Sequence, residues 1–126
     1  MSRWNVPARW AARLVVAAAI VACGRPSEAP APLHVTLAPD PDGQDTRVTL
    51  YAASHLKINA RLAPALETSG GTVLRFAGHR LTPDSAYFAE PPSAVLPGHH
   101  DQVHGTLRAS VCEVGQQVCR SVTLAL

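Results

Sequence analysis

His104-Gly-Thr-Leu-Arg-Ala-Ser-Val-Cys112 and Cys119-Arg-Ser-Val-Thr-Leu-Ala-Leu126 are two alternating runs separated by Glu113-Val-Gly-Gln-Gln-Val118. In the first, Leu107, Ala109 and Val111 alternate with Thr106, Arg108, Ser110 and Cys112; in the second, Val122, Leu124 and Leu126 alternate with Cys119, Ser121 and Thr123. Apolar residues at every second position are the pattern of half-buried strands. The short connection between the runs suits an antiparallel hairpin. Both cysteines then fall on the face away from the aliphatic residues. Directly opposed Cβ atoms in such a pair lie about 4.5–5.5 Å apart. A disulfide needs about 3.5–4.5 Å, so a modest local adjustment lets Cys112 and Cys119 join.

Upstream, the same short-strand grammar repeats. Leu33-His-Val-Thr-Leu-Ala38 alternates, and Pro39-Asp-Pro-Asp-Gly43 behind it is dense in turn formers. Thr46-Arg-Val-Thr-Leu-Tyr-Ala52 puts Val48 and Leu50 on one face and Arg47, Thr49 and Tyr51 on the other. Leu56-Lys-Ile-Asn-Ala-Arg-Leu62 also fits period two, through Leu56, Ile58, Ala60 and Leu62. Gly70-Gly71 breaks the chain before Thr72-Val-Leu-Arg-Phe-Ala77, and Pro91 and Pro92 punctuate a loop-rich stretch. No stretch reads as a helix. Six or seven strands at this spacing predict an all-β, immunoglobulin-like antiparallel β-sandwich over residues 33–126, with a small barrel as the structural alternative. A domain of this size is only modestly stable, so a disulfide is a useful addition.

The opening of the chain has a different character. Leu14-Val-Val-Ala-Ala-Ala-Ile-Val-Ala-Cys23-Gly24 is a short apolar run preceded by Arg3, Arg9 and Arg13 and by no acid. That is the layout of a secretory signal. Its end, Ile20-Val-Ala-Cys23, looks like a bacterial lipobox, with small Ala22 at the cleavage position and Cys23 as the lipidated residue. Residues 1–22 are thus expected to be a lipoprotein signal peptide, followed by Cys23 and a proline-rich spacer over 23–32. An ordinary secretory signal with an incidental cysteine and a short membrane anchor are the alternatives. The run is shorter than the roughly 20 apolar residues of a spanning helix. Several acyl chains on Cys23 would make membrane lipid a lasting partner. Gly24 in place of aspartate resembles the pattern that sorts lipoproteins to the outer rather than the inner membrane of a diderm bacterium, facing the periplasm.

The whole chain carries 11 basic and 9 acidic residues, a formal charge of +2. Loss of Arg3, Arg9 and Arg13 with the signal leaves 8 basic against 9 acidic, so no basic patch points to nucleic acid. No phosphate-binding glycine loop and no Ser-His-Asp spacing is present. His99-His-Asp101 and His104 are candidate metal ligands with Cys112 close in sequence, but His99 and His100 follow Pro97-Gly98 into a turn, where histidines are usually solvated. No cofactor is expected.

Gly105-Thr-Leu-Arg-Ala-Ser-Val-Cys112 followed by Cys119-Arg-Ser-Val-Thr-Leu resembles the end of the N-terminal domain of the thiol:disulfide interchange protein DsbD and of stand-alone disulfide bond corrector domains. Ser54-His-Leu-Lys-Ile-Asn-Ala-Arg-Leu-Ala-Pro64 is similar to a second stretch of that family, and the two occur in the family's order. The resemblance implies an immunoglobulin-like domain whose Cys112–Cys119 pair is the redox centre. It would take reducing equivalents from a membrane electron donor and pass them to exported thiol-disulfide proteins through mixed disulfides. Which cysteine attacks is left open. Tyr87 and Phe88 are the candidates for the aromatic cap that shields the family's pair. Arg120-Ser121 stands where the family carries a proline-bearing segment.

From the residues alone, two readings of the pair stay open. A bridge across one hairpin constrains the unfolded chain little, so it stabilises toward the low end of the usual 2–4 kcal/mol. On an outer face it would be open to an external thiolate, the access that exchange requires. His104 and Arg108 on the same face and Arg120 beside Cys119 would favour a thiolate, and Glu113 would oppose it. Exported proteins also carry inert disulfides. The alternatives to an exchange module are therefore a binding or scaffold lipoprotein with a structural bridge, and a metal-handling lipoprotein.

Overall fold

The period-two alternation becomes a burial pattern. In β2 (Asp45–Ala52), Thr46, Val48 and Leu50 are buried, while Arg47, Thr49 and Tyr51 between them are half-buried. In β7 (Gly105–Glu113), Leu107, Ala109 and Val111 are buried in the same rhythm. The computed structural model describes residues 30–126. The expected signal peptide, Cys23 and most of the expected spacer lie outside the described residues. Six further strands complete the domain: β1 (Leu33–Pro39), β3 (Leu56–Ile58), β4 (Ala65–Thr68), β5 (Val73–Arg75), β6 (Ser93–Pro97) and β8 (Cys119–Ala125). The helical content of the described residues is one 3-10 turn, His100–Gln102, and no helix there is long and apolar enough to cross a membrane.

The strands form two antiparallel sheets. One has the order β1-β2-β6. In the other, β7 is central: β8 pairs along one side of it, and β3 and β4 follow each other along the opposite side, with β5 beyond β4. Leu33, Val48, Leu50, Ala94 and Leu96 of the first sheet meet Leu56, Ile58, Leu66, Leu107, Ala109 and Val111 of the second in one core. Setting β1, β2 and β6 against β3, β7 and β8 reproduces the A, B, E and C, F, G partition of an immunoglobulin sandwich. The two separate sheets rule out the barrel.

Two expectations change, and one further strand was not expected. The strand over residues 56–62 stops at Ile58, because Asn59 Oδ1 accepts hydrogen bonds from the Arg61 and Leu62 N–H groups at 2.9 and 3.2 Å. That side-chain turn takes the backbone out of the ladder, and Leu62 is 66% exposed instead of facing the core. The chain rejoins β7 only at β4, whose four residues hold one buried aliphatic, Leu66, too short a signal to read. The proline-rich stretch contains β6, in which Ala94 and Leu96 are buried; Pro97 fits because it ends the strand, and the strand's outer side is bridged only once, Ser93 to Ala77.

Gly105 starts β7 where the backbone passes closest to β4. A Cβ there would collide with the Glu67 carbonyl oxygen and crowd Thr68 Cα at 2.9 Å. Backbone offers no flexible atom to move aside, so Gly105→Ala is expected to destabilise by about 1–3 kcal/mol, the range for overpacking. That should lower Tm by roughly 4–20 °C for a domain of this size. Val114→Ala in the exposed hairpin loop should stay within about 0.5 kcal/mol. Thermal melts of both variants check the pair.

Candidate functional site

The β7–β8 ladder fixes the cysteines. Gly105 and Leu126 exchange both backbone hydrogen bonds, at 3.3 and 2.9 Å, and at the other end the Glu113 N–H donates to the Val118 carbonyl at 3.0 Å. Hydrogen-bonded and non-hydrogen-bonded pairs alternate along an antiparallel ladder. Counting from either end makes Cys112 opposite Cys119 a non-hydrogen-bonded pair, the closer kind. Their Cα atoms are 4.0 Å apart and their sulfurs are joined in a disulfide. The bridge lies on the outer face, as the alternation requires.

The two halves of the bridge differ in exposure. Cys119 is exposed on the edge strand, whereas Cys112 is 1% exposed although it points away from the core. The cover is local. Asn59, Arg61, Asp84, Ala86, Tyr87 and Gln117 line a cleft of about 350 Å³ together with both cysteines. Cys112 pairs across the sheet with Lys57, so these two side chains share the outer face. Lys57 Nζ stands 5.3 Å from the centre of the Tyr87 ring, within cation–π reach.

Residues 82–88 are held over this cleft by hydrogen bonds on both sides. The Ala60 N–H donates to the Ala86 carbonyl at 2.8 Å and the Phe88 N–H to the Ile58 carbonyl at 3.1 Å. Arg61 Nη2 donates to the Asp84 carbonyl at 3.1 Å. Inside the loop, the Thr82 hydroxyl donates to Asp84 Oδ1 at 2.6 Å, and the Ala86 N–H donates to the same oxygen at 3.1 Å. The Thr82 hydroxyl, and then the Ala86 amide, hold the Asp84 carboxyl below the usual carboxylate range. Ser85 at the tip has φ 57°, a left-handed conformation uncommon for a residue with a side chain. Phe88 turns inward against the core, so of the two aromatic candidates Tyr87 is the one brought to the cysteines.

The residues named from sequence fare unevenly. Cys112 and Cys119 come together. His104 does not reach them: it lies eight residues along β7, a separation of roughly 26 Å at strand rise, and lines another pocket with Thr68, Gln102 and Leu96. Arg108 shares the outer face but is four residues away, roughly 13 Å. His99 and His100 are exposed at the 3-10 turn, and among the described residues no three His, Cys, Asp or Glu side chains gather as a metal site. The cations beside the pair are Lys57 and Arg61 instead. The signal for them was present in the Ser54–Pro64 stretch, which carries Lys57, Asn59 and Arg61 and is brought against Cys112 by the β3–β7 pairing.

Comparison of the chain with protein-family models, with curated proteins and with solved structures gives no match.

Two outcomes follow from this geometry. In the reduced chain, Cys119 should be alkylated by iodoacetamide at least about tenfold faster than Cys112, since thiol reactivity tracks exposure; Tyr87→Ala should narrow that ratio by uncovering Cys112. Peptide mass spectrometry over a time course reads both. Asp84 should titrate below an ordinary aspartate. Because its folded-state pKa is depressed, its contribution to loop order is complete above the unfolded value and is lost as pH falls through the folded one. NMR of the Ala86 amide, which loses its carboxylate acceptor over that acid window, follows the change.

Proposed function

We propose that this chain is an exported, lipid-anchored thiol:disulfide exchange domain whose Cys112–Cys119 bridge passes reducing equivalents to or from other exported proteins. The observation that carries the reading is the asymmetry of the bridge: Cys119 is exposed, whereas Cys112 is 1% exposed, shares a cleft with Tyr87 and pairs across the sheet with Lys57. Exchange needs one accessible sulfur to be attacked, and the other sulfur of the bridge leaves as a thiolate.

In the oxidised domain, a donor thiolate attacks Cys119 Sγ. A bond forms between the donor sulfur and Cys119, the Cys112–Cys119 bond breaks, and the electron pair leaves on Cys112 Sγ. A second donor thiol then attacks the donor's own sulfur in the mixed disulfide and frees Cys119. The donor ends as a disulfide and the domain as a dithiol, with two electrons transferred. Running the same steps backward hands them to an acceptor disulfide, with Cys119 attacking and Cys112 resolving. Lys57 pairs with Cys112 across the sheet and Arg61 lines the same cleft, and a neighbouring cation favours the departing thiolate. Asp84, hydrogen-bonded within its own loop, is the opposing charge in the cleft.

The resemblance to the DsbD N-terminal domain supports the same chemistry, and Tyr87, a candidate for that family's shielding aromatic, lines the cleft with both cysteines. The lipobox-like Ile20-Val-Ala-Cys23 supports attachment to a bacterial membrane, with partners drawn from the periplasm. The burial of Cys112 favours a second reading, in which the bridge only staples the β7–β8 hairpin of a binding or scaffold domain. Trapping separates them. Full-length chain with Cys112→Ser should form a stable mixed disulfide with glutathione at Cys119, and Cys119→Ser should form several-fold less through the covered Cys112. If neither variant is captured, the staple reading stands. Labelled palmitate should enter the wild-type chain in a bacterial host and be lost with Cys23→Ala.

A further inference from the structure

β8 is an edge strand of seven residues, and among the described residues nothing pairs along its outer side. Its ladder to β7 runs without a bulge from Cys112–Cys119 to Thr106–Ala125. It contains no proline, no lysine and no acid, the usual devices that blunt an edge, and its one charge is Arg120. β5, an edge of the same sheet, is only three residues long, and β1, the long edge of the other sheet, ends in Pro39.

The pairing parity says which backbone groups this edge offers. Arg120, Val122, Leu124 and Leu126 occupy hydrogen-bonded positions toward β7, as the Gly105–Leu126 and Glu113–Val118 bonds at the two ends require. Cys119, Ser121, Thr123 and Ala125 therefore turn their N–H and C=O groups away from β7, toward the open side. Their side chains share the outer face with the disulfide.

The same parity orients the reaction. The bridge crosses the ladder from Cys112 on the inner strand to Cys119 on the edge. A thiolate must approach Cys119 Sγ from the side opposite the departing Cys112 sulfur, which is the open side of β8. A strand laid there would sit about 4.8 Å from β8, and its residue opposite Cys119 would present its side chain on the outer face. From this we infer that β8 is a docking edge for an extended segment of the redox partner, which adds as a further strand and delivers its reactive cysteine opposite Cys119. The inference rests on the exchange reading above and names the form in which the partner arrives. Arg120 and the outer-face Arg108, with no acid on the strand, suit a segment bearing Asp or Glu beside its cysteine. Backbone bonds would supply the affinity and side chains the selectivity, as in other strand additions.

Thr123→Pro isolates the claim, because the N–H it removes points to the open side and no β7 bond is lost. Full-length oxidised chain and this variant would be reacted with mercaptoethanol and with a blocked ten-residue Thr/Val peptide carrying one central cysteine and two glutamates. The substitution should leave the mercaptoethanol rate within twofold and slow the peptide about tenfold. Independently of that variant, the Cys112→Ser chain trapped on the peptide should show slowed hydrogen exchange at the Ser121, Thr123 and Ala125 amides. Equal slowing of both reagents, no slowing of either, or unprotected amides in the trapped species would overturn the edge while leaving exchange intact. A bridge that reacts with neither reagent sinks the exchange reading and this inference together.

Discussion

The register between β7 and β8 is the constraint on which the rest depends. Side chains alternate with period two, so a slip of one residue would turn Val122, Leu124 and Leu126 outward and Cys119 inward. The aliphatic alternation and the disulfide demand the same register, and each protects the other. The bridge closes so small a loop that its entropic contribution is about 2–3 kcal/mol. Much of the holding force is therefore the burial of Leu107, Ala109 and Val111 on the core side of the same strand. The bridge is thus only one of the interactions that hold this hairpin, the others being the β7–β8 ladder and the core burial behind it.

A second constraint comes from the opposite side of β7. Asn59 ends β3 early by capturing the Arg61 and Leu62 amides, and the detour this creates through residues 59–64 leaves room above Cys112. Residues 82–88 fill that room. The loop is stitched to the Ile58 and Ala60 backbone and stiffened by the Thr82–Asp84–Ala86 hydrogen bonds, so Tyr87 is held beside Lys57 and lines the cleft that holds both cysteines. Gly78 belongs to the same arrangement, for a Cβ there would lie 2.8 Å from the Phe88 ring whose inward packing anchors the loop. The accessibility of the bridge is thus set by a polar turn and a loop, and only its position is set by the core.

How much of this was legible follows from which forces act locally. The final hairpin could be read residue by residue, because alternation is a local property and both cysteines fell where the pattern put them. β1 and β2 were legible for the same reason, down to the faces of Val48 and Leu50. β4 and β6 were not, since strands of four or five residues with one or two buried side chains are defined by their neighbours. The break after Ile58 was hidden because Ala60 and Leu62 continue the apolar rhythm while a single asparagine side chain overrides it. At the site, the sequence offered His104 and Arg108 by counting along the first strand, and these lie too far from the bridge, whereas Arg120 adjoins Cys119 on the second. Lys57, Arg61 and Asp84, the other charges at the site, come from segments distant in sequence, beyond the reach of counting along a strand. The cover that makes the bridge asymmetric is a tertiary property that no single stretch encodes.

The central claim is that Cys112–Cys119 is an exchangeable bridge and not a permanent staple. Its reduction potential tests this most directly, taken on the full-length chain by equilibration in glutathione buffers followed by thiol trapping. A potential well above about −300 mV, the level below which structural bridges of exported proteins usually lie, is expected if the half-open arrangement serves exchange. A potential below that level, with the bridge intact throughout the glutathione range, would contradict the account and leave a disulfide-stapled β-sandwich.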